Sequence, residues 1–242
     1  MAFQNPRAEM PVEDPNSSYV AYSCFEFLLI ELVPMAYRIA AEQAEREQVL
    51  LGKKQPLSVD EASDDAKTHD KLETERQNRL QRDAELTKGF GIGGIGGSIQ
   101  GLDEEETRER VWQKLDALGY RVGQGLVERF SRDKARFQDT LDAIKFLCKD
   151  LWTIVFKKQI DNLKTNHRGI YVLTDAKFHP LSKISHERGR DGIIQQTQPF
   201  LYFPAGIIRG ALASMGIKAQ VQAECQELPG ATFQIRTVGA KP

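Results

Sequence analysis

The sequence predicts an α+β fold in which the helices come first and an antiparallel sheet comes last. Three stretches in the first two thirds carry apolar residues at spacings of three and four, which is typical of amphipathic helices. Near the C-terminus, apolar and polar residues alternate on both sides of the pair Pro229-Gly230, which indicates a β-hairpin. Strands and helices do not alternate along the chain, so a parallel sheet is not expected.

Composition excludes several classes of function. The chain has 242 residues, 40% of them hydrophobic, which is enough for a sizeable core. The formal net charge of −1 provides no overall basic field for nucleic acid. No stretch reaches the roughly 18 apolar residues of a spanning helix, and the N-terminus does not resemble a signal peptide. Cys24, Cys148 and Cys225 are scattered, without the spacing of a zinc site. We therefore expect a soluble protein of a reducing compartment, without cofactor or metal.

The chain divides into one domain and two segments of low hydrophobicity. Residues 1–20 are polar and contain three prolines, so we expect a disordered N-terminal tail. Residues 46–107 are first highly charged and then rich in glycine, and they have no helical period. Such a composition cannot bury enough surface to offset the entropy of ordering it. We therefore expect a single domain made of residues 21–45 and 108–238, interrupted by an inserted linker.

The first two predicted helices cover about residues 22–45 and 109–132. Pro34 lies inside the apolar stripe of the first, where its missing N–H predicts a kink. In the second, Gly119 and Gly123 lie one turn apart beside the stripe. A glycine in a helix costs about 1 kcal/mol relative to alanine, so two of them need a reason. We expect them to let the backbone of another helix approach closely.

The remaining elements follow in order. Ser131 or Asp133 is expected to cap a third helix over about 134–160, and residues 169–173 form a β-branched and aromatic strand. A short strand or loop near 178–184 and a polar loop over 186–198 come next. Pro204 begins a last helix that Gly216 ends. A hairpin built on residues 217–225 and 233–235 closes the domain.

Motifs that could carry chemistry are weak. Residues 91–96 match the glycine pattern of a dinucleotide-binding loop, but no strand precedes them and no helix follows, so we interpret them as linker. Cys148 falls on the buried face of the third helix, where a small core side chain is the simpler interpretation. The histidines have no metal-ligand spacing. We expect no catalytic residue.

Two surfaces are candidates for binding. A basic cluster at the end of the third helix could meet acidic lipid headgroups, although a solvated helix end is the simpler interpretation; its residues are Lys157, Lys158, Lys164 and Arg168. The apolar stripes of the first two helices exceed what a small sheet and two other helices can cover, which favours a partner interface. That predicted interface consists of Phe25, Leu28, Leu29, Leu32, Val33, Ile39, Leu115, Leu118, Gly119, Val122, Gly123 and Leu126.

Three segments carry a resemblance to a known family. They are GYRVGQGLVERF at 119–130, FLCKDLWTIVFKKQIDNLKTNHRGIYVL at 146–173 and GIIRGALASMGIKAQVQAE at 206–224. Together they closely resemble the small subunits of the TRAPP complex (transport protein particle), of the subunit-six type. The resemblance is strong over residues 111–237 and loose over residues 25–46.

The resemblance implies a fold and a role. The fold has about four main helices on one face of a twisted antiparallel sheet. Its first two helices pair with a paralogous small subunit, and other subunits of the complex are further partners. The assembled complex tethers vesicles and acts as a nucleotide exchange factor for a Rab-type GTPase in transport from the endoplasmic reticulum to the Golgi. The implied location is cytoplasmic, peripheral on vesicles and the cis-Golgi, with exchange performed by other subunits.

Two departures from the family pattern matter. A sister subunit carries an acylated cysteine just before the phenylalanine that matches Phe137, whereas this chain has Lys134-Ala135-Arg136 there. The insertion is also longer than the family core needs. A lipid or acyl-chain binding module stays as the alternative function, and a homodimer formed by the exposed stripes is a weaker one.

Overall fold

The computed structural model of the protein describes residues 20–52, 77, 103–132, 134, 136–166, 169–184 and 190–238. Most of the predicted tail and insertion therefore lies outside the described residues, and so do Asp133 and Arg168. The elements are α1 (Tyr22–Leu50), α2 (Glu104–Phe130), α3 (Thr140–Phe146), a π-helical turn (Leu147–Leu151), α4 (Trp152–Phe156), β1 (Asn162–Thr165), β2 (Ile170–Asp175), a 3-10 turn (His179–Leu181), α5 (Arg190–Ser214), β3 (Ala219–Glu224) and β4 (Ala231–Thr237).

The predicted fold class is confirmed. Because α3, the π-helical turn and α4 follow one another without a break, the described chain contains four main helices beside one four-stranded antiparallel sheet. The strands lie in the order β1-β2-β4-β3. Alternate residues of β2 and β4, among them Leu173, Phe233 and Ile235, are buried. One face of the sheet therefore packs on the helices.

The core between sheet and helices is aromatic. Trp152 lies with its ring centre 4.5 Å from that of Phe156, 5.9 Å from Phe178 and 5.3 Å from Phe233. Edge-on and offset contacts of this kind add to the free energy gained by burying the rings. They join α4, the loop after β2 and the sheet into one unit.

Helix α1 ends later than predicted, and helix α2 begins earlier than predicted. Helix α1 continues through Pro34 to Leu50. Helix α2 begins at Glu104, because the carboxylate of Asp103 accepts a hydrogen bond of 2.7 Å from the backbone N–H of Glu106. Three glutamates in the first turn also favour the positive end of the helix dipole. The ends of the predicted insertion are thus helical.

The third helix differs from the prediction at both ends. It begins at Thr140 rather than near Lys134, and it ends at Phe156 rather than Ile160. Lys157 adopts a left-handed conformation with φ of 59°, which stops the helix. The chain then forms β1, a strand that the sequence did not predict. Its four residues, NLKT, are largely exposed at the sheet edge, so no apolar alternation marks them.

The largest correction concerns α5. The prediction placed a polar loop over 186–198 and began the helix at Pro204, but α5 starts at Arg190 and includes both Pro199 and Pro204. From Thr197 to Leu212 this helix is almost continuously buried. Packing on both sides therefore outweighs the two lost backbone hydrogen bonds. Gly216, with φ of 80°, ends it as predicted.

Candidate partner-binding face

The glycines of α2 lie against another helix, but that helix belongs to the same chain. A Cβ atom built on Gly119 would lie 2.2 Å from the backbone oxygen of Phe203, and one on Gly123 would lie 2.2 Å from that of Ile207. Both oxygens belong to α5. The prediction that this glycine step serves a partner subunit is therefore corrected: the close approach it permits is internal.

Helix α5 contributes a matching pair of glycines, which the sequence analysis missed. A Cβ atom on Gly206 would lie 2.4 Å from the backbone oxygen of Asp116, and one on Gly210 would lie 2.0 Å from that of Tyr120. The spacing of four residues, the same as in α2, was the available signal. A contact that lies nearer the C-terminus of α2 also lies nearer the C-terminus of α5. The two helices therefore run parallel, with their backbones in contact.

A salt bridge also holds these two helices together. The buried carboxylate of Asp116 accepts hydrogen bonds from Arg209 of α5, one of them 3.3 Å long from Nε. The guanidinium also lies 4.4 Å from the ring centre of Tyr120, within range for a cation–π contact. A bidentate pair of this kind fixes orientation as well as distance.

The structure separates the predicted interface residues into three groups. Leu29, Leu32, Val33, Leu115, Gly119 and Gly123 are buried in their own chain and offer a partner almost no surface. Phe25, Leu118 and Leu126 are partly buried against the core. Leu28 is 54% exposed, Ile39 39% and Val122 37%. Much of the two stripes is thus internal core, and the α2 stripe packs on α5 at Gly119 and Gly123.

The contact between α1 and α2 shows how the exposed residues are arranged. Glu47 accepts two hydrogen bonds from Arg110, at 3.0 and 2.8 Å, and Gln43 accepts one from Lys114. From the first pair to the second, the contact moves four residues towards the N-terminus of α1 and four residues towards the C-terminus of α2. The two helices therefore run antiparallel. The hydrogen bonds from Arg110 also lower the pKa of Glu47.

The same rows continue as apolar residues. One helical turn beyond these pairs lie Ile39, four residues before Gln43 on α1, and Leu118, four residues after Lys114 on α2. Met35 and Val122 occupy the turn after that. The seam between α1 and α2 therefore changes from polar pairs at one end to apolar side chains over the next two turns. We call the exposed and partly buried residues of this seam the α1–α2 face; its members are Phe25, Leu28, Met35, Ile39, Leu118, Val122 and Leu126.

The predicted basic cluster is not a uniform set of free cations. Lys158 donates to Asp161 at 2.9 Å and also to the fully buried carboxylate of Asp175. Asp175 in addition accepts a bond of 3.0 Å from the indole N–H of Trp152. Lys158 therefore joins α4 to the sheet, which corrects its assignment as a membrane-facing residue.

The other members of that cluster differ in their surroundings. The ammonium group of Lys157 lies 5.7 Å from the ring centre of Tyr22, and Lys164 is exposed on β1. Arg168 lies outside the described residues. A membrane contact through Lys157 and Lys164 stays a prediction.

The N-terminal half of α1 is fixed by a second polar cluster. Glu26 accepts hydrogen bonds from Lys183, at 2.7 Å, and from His179. These bonds, that of Lys183 first, lower the pKa of Glu26. The imidazole also stacks on Tyr22, with ring centres 6.0 Å apart. Helix α1 is thus attached at both ends, which holds the α1–α2 face in place.

Comparison with known proteins identifies the family. A family model described as transport protein particle (TRAPP) component matches residues 25–238. The chain belongs to the TRAPP component family. The matched region contains the sheet, the α1–α2 face and the described helices except the first three residues of α1.

Individual relatives indicate which type of TRAPP subunit the chain resembles. The chain is 50% identical over 141 residues to trafficking protein particle complex subunit 6b of Danio rerio, covering 57% of this chain and 88% of that protein. It is 48% identical over 142 residues to subunit 6B of Homo sapiens, covering 58% and 88%. The predicted resemblance to the subunit-six type is confirmed.

A solved structure is also similar, though weakly. It is trafficking protein particle complex subunit 3 from Naegleria fowleri, covalently bound to palmitic acid. The likeness covers 55% of this chain and 84% of that chain, with a TM-score of 0.45 and 15% identity. It carries no conclusion about this TRAPP chain.

Three further observations concern binding and reaction chemistry. None of the helices among the described residues is long and apolar enough to cross a membrane. Within the same part of the chain, histidine, cysteine and carboxylate side chains do not gather into a group that could hold a metal ion. Burial raises the pKa of the Cys148 thiol to about 12, which makes it a poor nucleophile at neutral pH.

Proposed function

We propose that this TRAPP chain is a non-catalytic, architectural subunit that pairs with a paralogous small subunit of the same complex through the α1–α2 face. In the assembled complex it would help to tether vesicles in transport between the endoplasmic reticulum and the Golgi. Nucleotide exchange on a Rab-type GTPase would belong to the assembly, with other subunits contacting the GTPase. The chain would therefore be cytoplasmic and peripheral on these membranes.

The α1–α2 face is the observation that carries the proposal. Leu28, Ile39 and Val122 expose apolar side chains to solvent on two long helices that are held in place by polar contacts. Contiguous exposed apolar residues on a protein surface commonly mark a binding site. Membership of a family whose relatives are named as complex subunits supports the same conclusion.

A paralogue suits this face better than an unrelated protein does. A related subunit presents its own pair of antiparallel helices, so that four helices can pack around a common apolar seam. The polar pairs at the Glu47–Arg110 end of the seam would then lie at the rim of the interface, where exposed ion pairs affect specificity more than affinity.

Purification from native extract tests the assignment to the complex. We expect the tagged full chain to recover small-subunit paralogues in stoichiometric amount, identified by mass spectrometry, together with other TRAPP subunits. Recovery of the chain without any TRAPP component would contradict the proposal.

The alternatives are decided in the same preparation. Intact mass spectrometry of the chain detects a thioester-linked lipid, and extraction detects a bound one. A stoichiometric lipid on a chain that lacks a protein partner would favour the acyl-chain binding module. A homodimer in the presence of the paralogue would show that the face binds a second copy instead.

A further inference from the structure

A second surface shares no residue with the α1–α2 face. Lys134 and residues 136–138 lie beside α3 and leave an open groove of about 600 Å³. Phe137 and Phe146 form its floor, with ring centres 5.1 Å apart. Its rim carries four cations, Lys134, Arg136, Lys145 and Lys149, and two carboxylates, Asp142 and Asp150. We call this surface the basic groove.

The cations of the basic groove are not all neutralised. Lys134 pairs with Asp150 at 2.7 Å, and Lys145 pairs with Asp142 at 3.3 Å. Among the described residues, the side chains of Arg136 and Lys149 have no carboxylate partner. Two positive charges are therefore available to a ligand.

The floor adds an apolar component. Lys134 places its ammonium group 4.6 Å from the ring centre of Phe146, which fixes one side of the groove. Phe137 is only partly buried, so part of its ring faces the open volume. A ligand that combines negative charge with an apolar side chain would match both features.

We propose that the basic groove binds an acidic segment of a partner protein, whose carboxylates meet Arg136 and Lys149 and whose apolar side chain rests on Phe137. The mixed charge of the rim favours a polypeptide over a lipid surface, because Asp142 and Asp150 would repel a continuous layer of anionic headgroups. A polypeptide can instead space its charges to avoid them.

Peptide binding to the purified chain tests this inference. The probe is a short fluorescein-labelled peptide of glutamate and aspartate with one central leucine, followed by fluorescence anisotropy. We expect binding that weakens as salt is raised, and a loss of about tenfold in affinity for the double variant Arg136→Glu/Lys149→Glu. The same peptide with glycine in place of leucine should bind more weakly, because it leaves the aromatic floor uncovered.

Matched controls keep the outcome decisive. The variant Lys177→Glu/Lys218→Glu makes the same charge change at two other exposed lysines and should bind the leucine peptide as the wild type does. Circular dichroism confirms that both variants fold. Equal affinity of the two variants, equal affinity of the two peptides, or no binding of either peptide would overturn the proposal. Binding to phosphatidylserine vesicles, lost only in the groove variant, would assign the groove to membranes instead.

Discussion

At Gly119 and Gly123 the missing side chains decide how closely two helices pack. The backbones of α2 and α5 touch there because neither helix carries a Cβ at the crossing. The sequence indicated a close helix approach from the spacing of these glycines alone. It could not show which helix approaches, because the spacing of glycines in one helix does not specify its partner, and the matching step at Gly206 and Gly210 inside the predicted last helix was not recognised.

Alanine at Gly123 should therefore destabilise the protein. Its Cβ would meet backbone oxygen rather than a movable side chain, so the helices must separate. We expect a loss of about 1–3 kcal/mol in the free energy of unfolding, typical of overpacked cores, despite the better helix propensity of alanine. Denaturant unfolding of Gly123→Ala measures it.

Gly125→Ala is the control in the same helix. Nothing lies within 4 Å of a Cβ at this position, so alanine should stabilise the protein by about 0.5–1 kcal/mol. Equal effects at Gly123 and Gly125 would show that the α2–α5 approach is not limited by the glycine.

The ionisation of single buried residues predicts that the free energy of unfolding changes at alkaline pH. Burial raises the pKa of Tyr37 to about 12 from an ordinary value of 10.0, so the folded chain holds its proton longer than the unfolded chain does. The stabilising contribution is complete below pH 10 and is lost as the pH rises towards 12. Cys148 acts in the same direction from pH 9.0 upwards.

We expect the free energy of unfolding to decline between pH 9 and pH 12. Each such group contributes up to about 1.4 kcal/mol per pH unit. Tyr37→Phe should make the decline above pH 10.0 shallower by one such contribution, measured by urea unfolding at several pH values. An unchanged slope would mean that Tyr37 ionises equally in both states.

At the scale of elements, the sheet is joined to α4 by the carboxylate of Asp175. It is fully buried and accepts hydrogen bonds from the indole of Trp152, the ammonium group of Lys158 and the backbone N–H of Lys177. Lys158 bridges onward to Asp161, and its hydrogen bond is the main cause of the lowered pKa of that residue. One polar network thus fixes α4, the segment before β1 and the end of β2 relative to each other.

Asp175→Ala should cost about 2–4 kcal/mol, because it leaves the indole N–H of Trp152 and one side of Lys158 without their acceptor. The control is Thr174→Ala, the preceding residue on the opposite face of β2, where we expect about 1 kcal/mol or less. Thermal unfolding followed by tryptophan fluorescence compares them. A loss no larger for Asp175→Ala than for Thr174→Ala would contradict the structural role of the network.

Elements with strong periodicity were predictable, whereas those whose form depends on tertiary contacts were not. The hairpin of β3 and β4 follows from strict alternation around Pro229-Gly230. Helix α5 begins fourteen residues before its predicted start because burial outweighs the effect of two prolines. Strand β1 exists because β2 pairs with it, and its own sequence contains no signal.

At the scale of the whole molecule, the order of the elements was sufficient to predict the α+β class, whereas the distribution of apolar surface was not predictable. Half of the predicted interface residues prove to be core, and those of α2 that are glycines pack on α5. What remains exposed is a smaller apolar seam between α1 and α2. This reduced face is the basis of the proposed pairing with a paralogous subunit.

The affinity of the chain for its paralogous partner tests the central claim most directly. The double variant Leu28→Glu/Val122→Glu changes two exposed residues of the α1–α2 face, and the control Val238→Glu introduces one glutamate at an exposed apolar residue after β4. We expect the double variant to weaken binding by about a hundredfold or more, as when central interface residues are lost, while Val238→Glu binds as the wild type does. Wild-type affinity in a folded Leu28→Glu/Val122→Glu variant would show that the partner binds elsewhere.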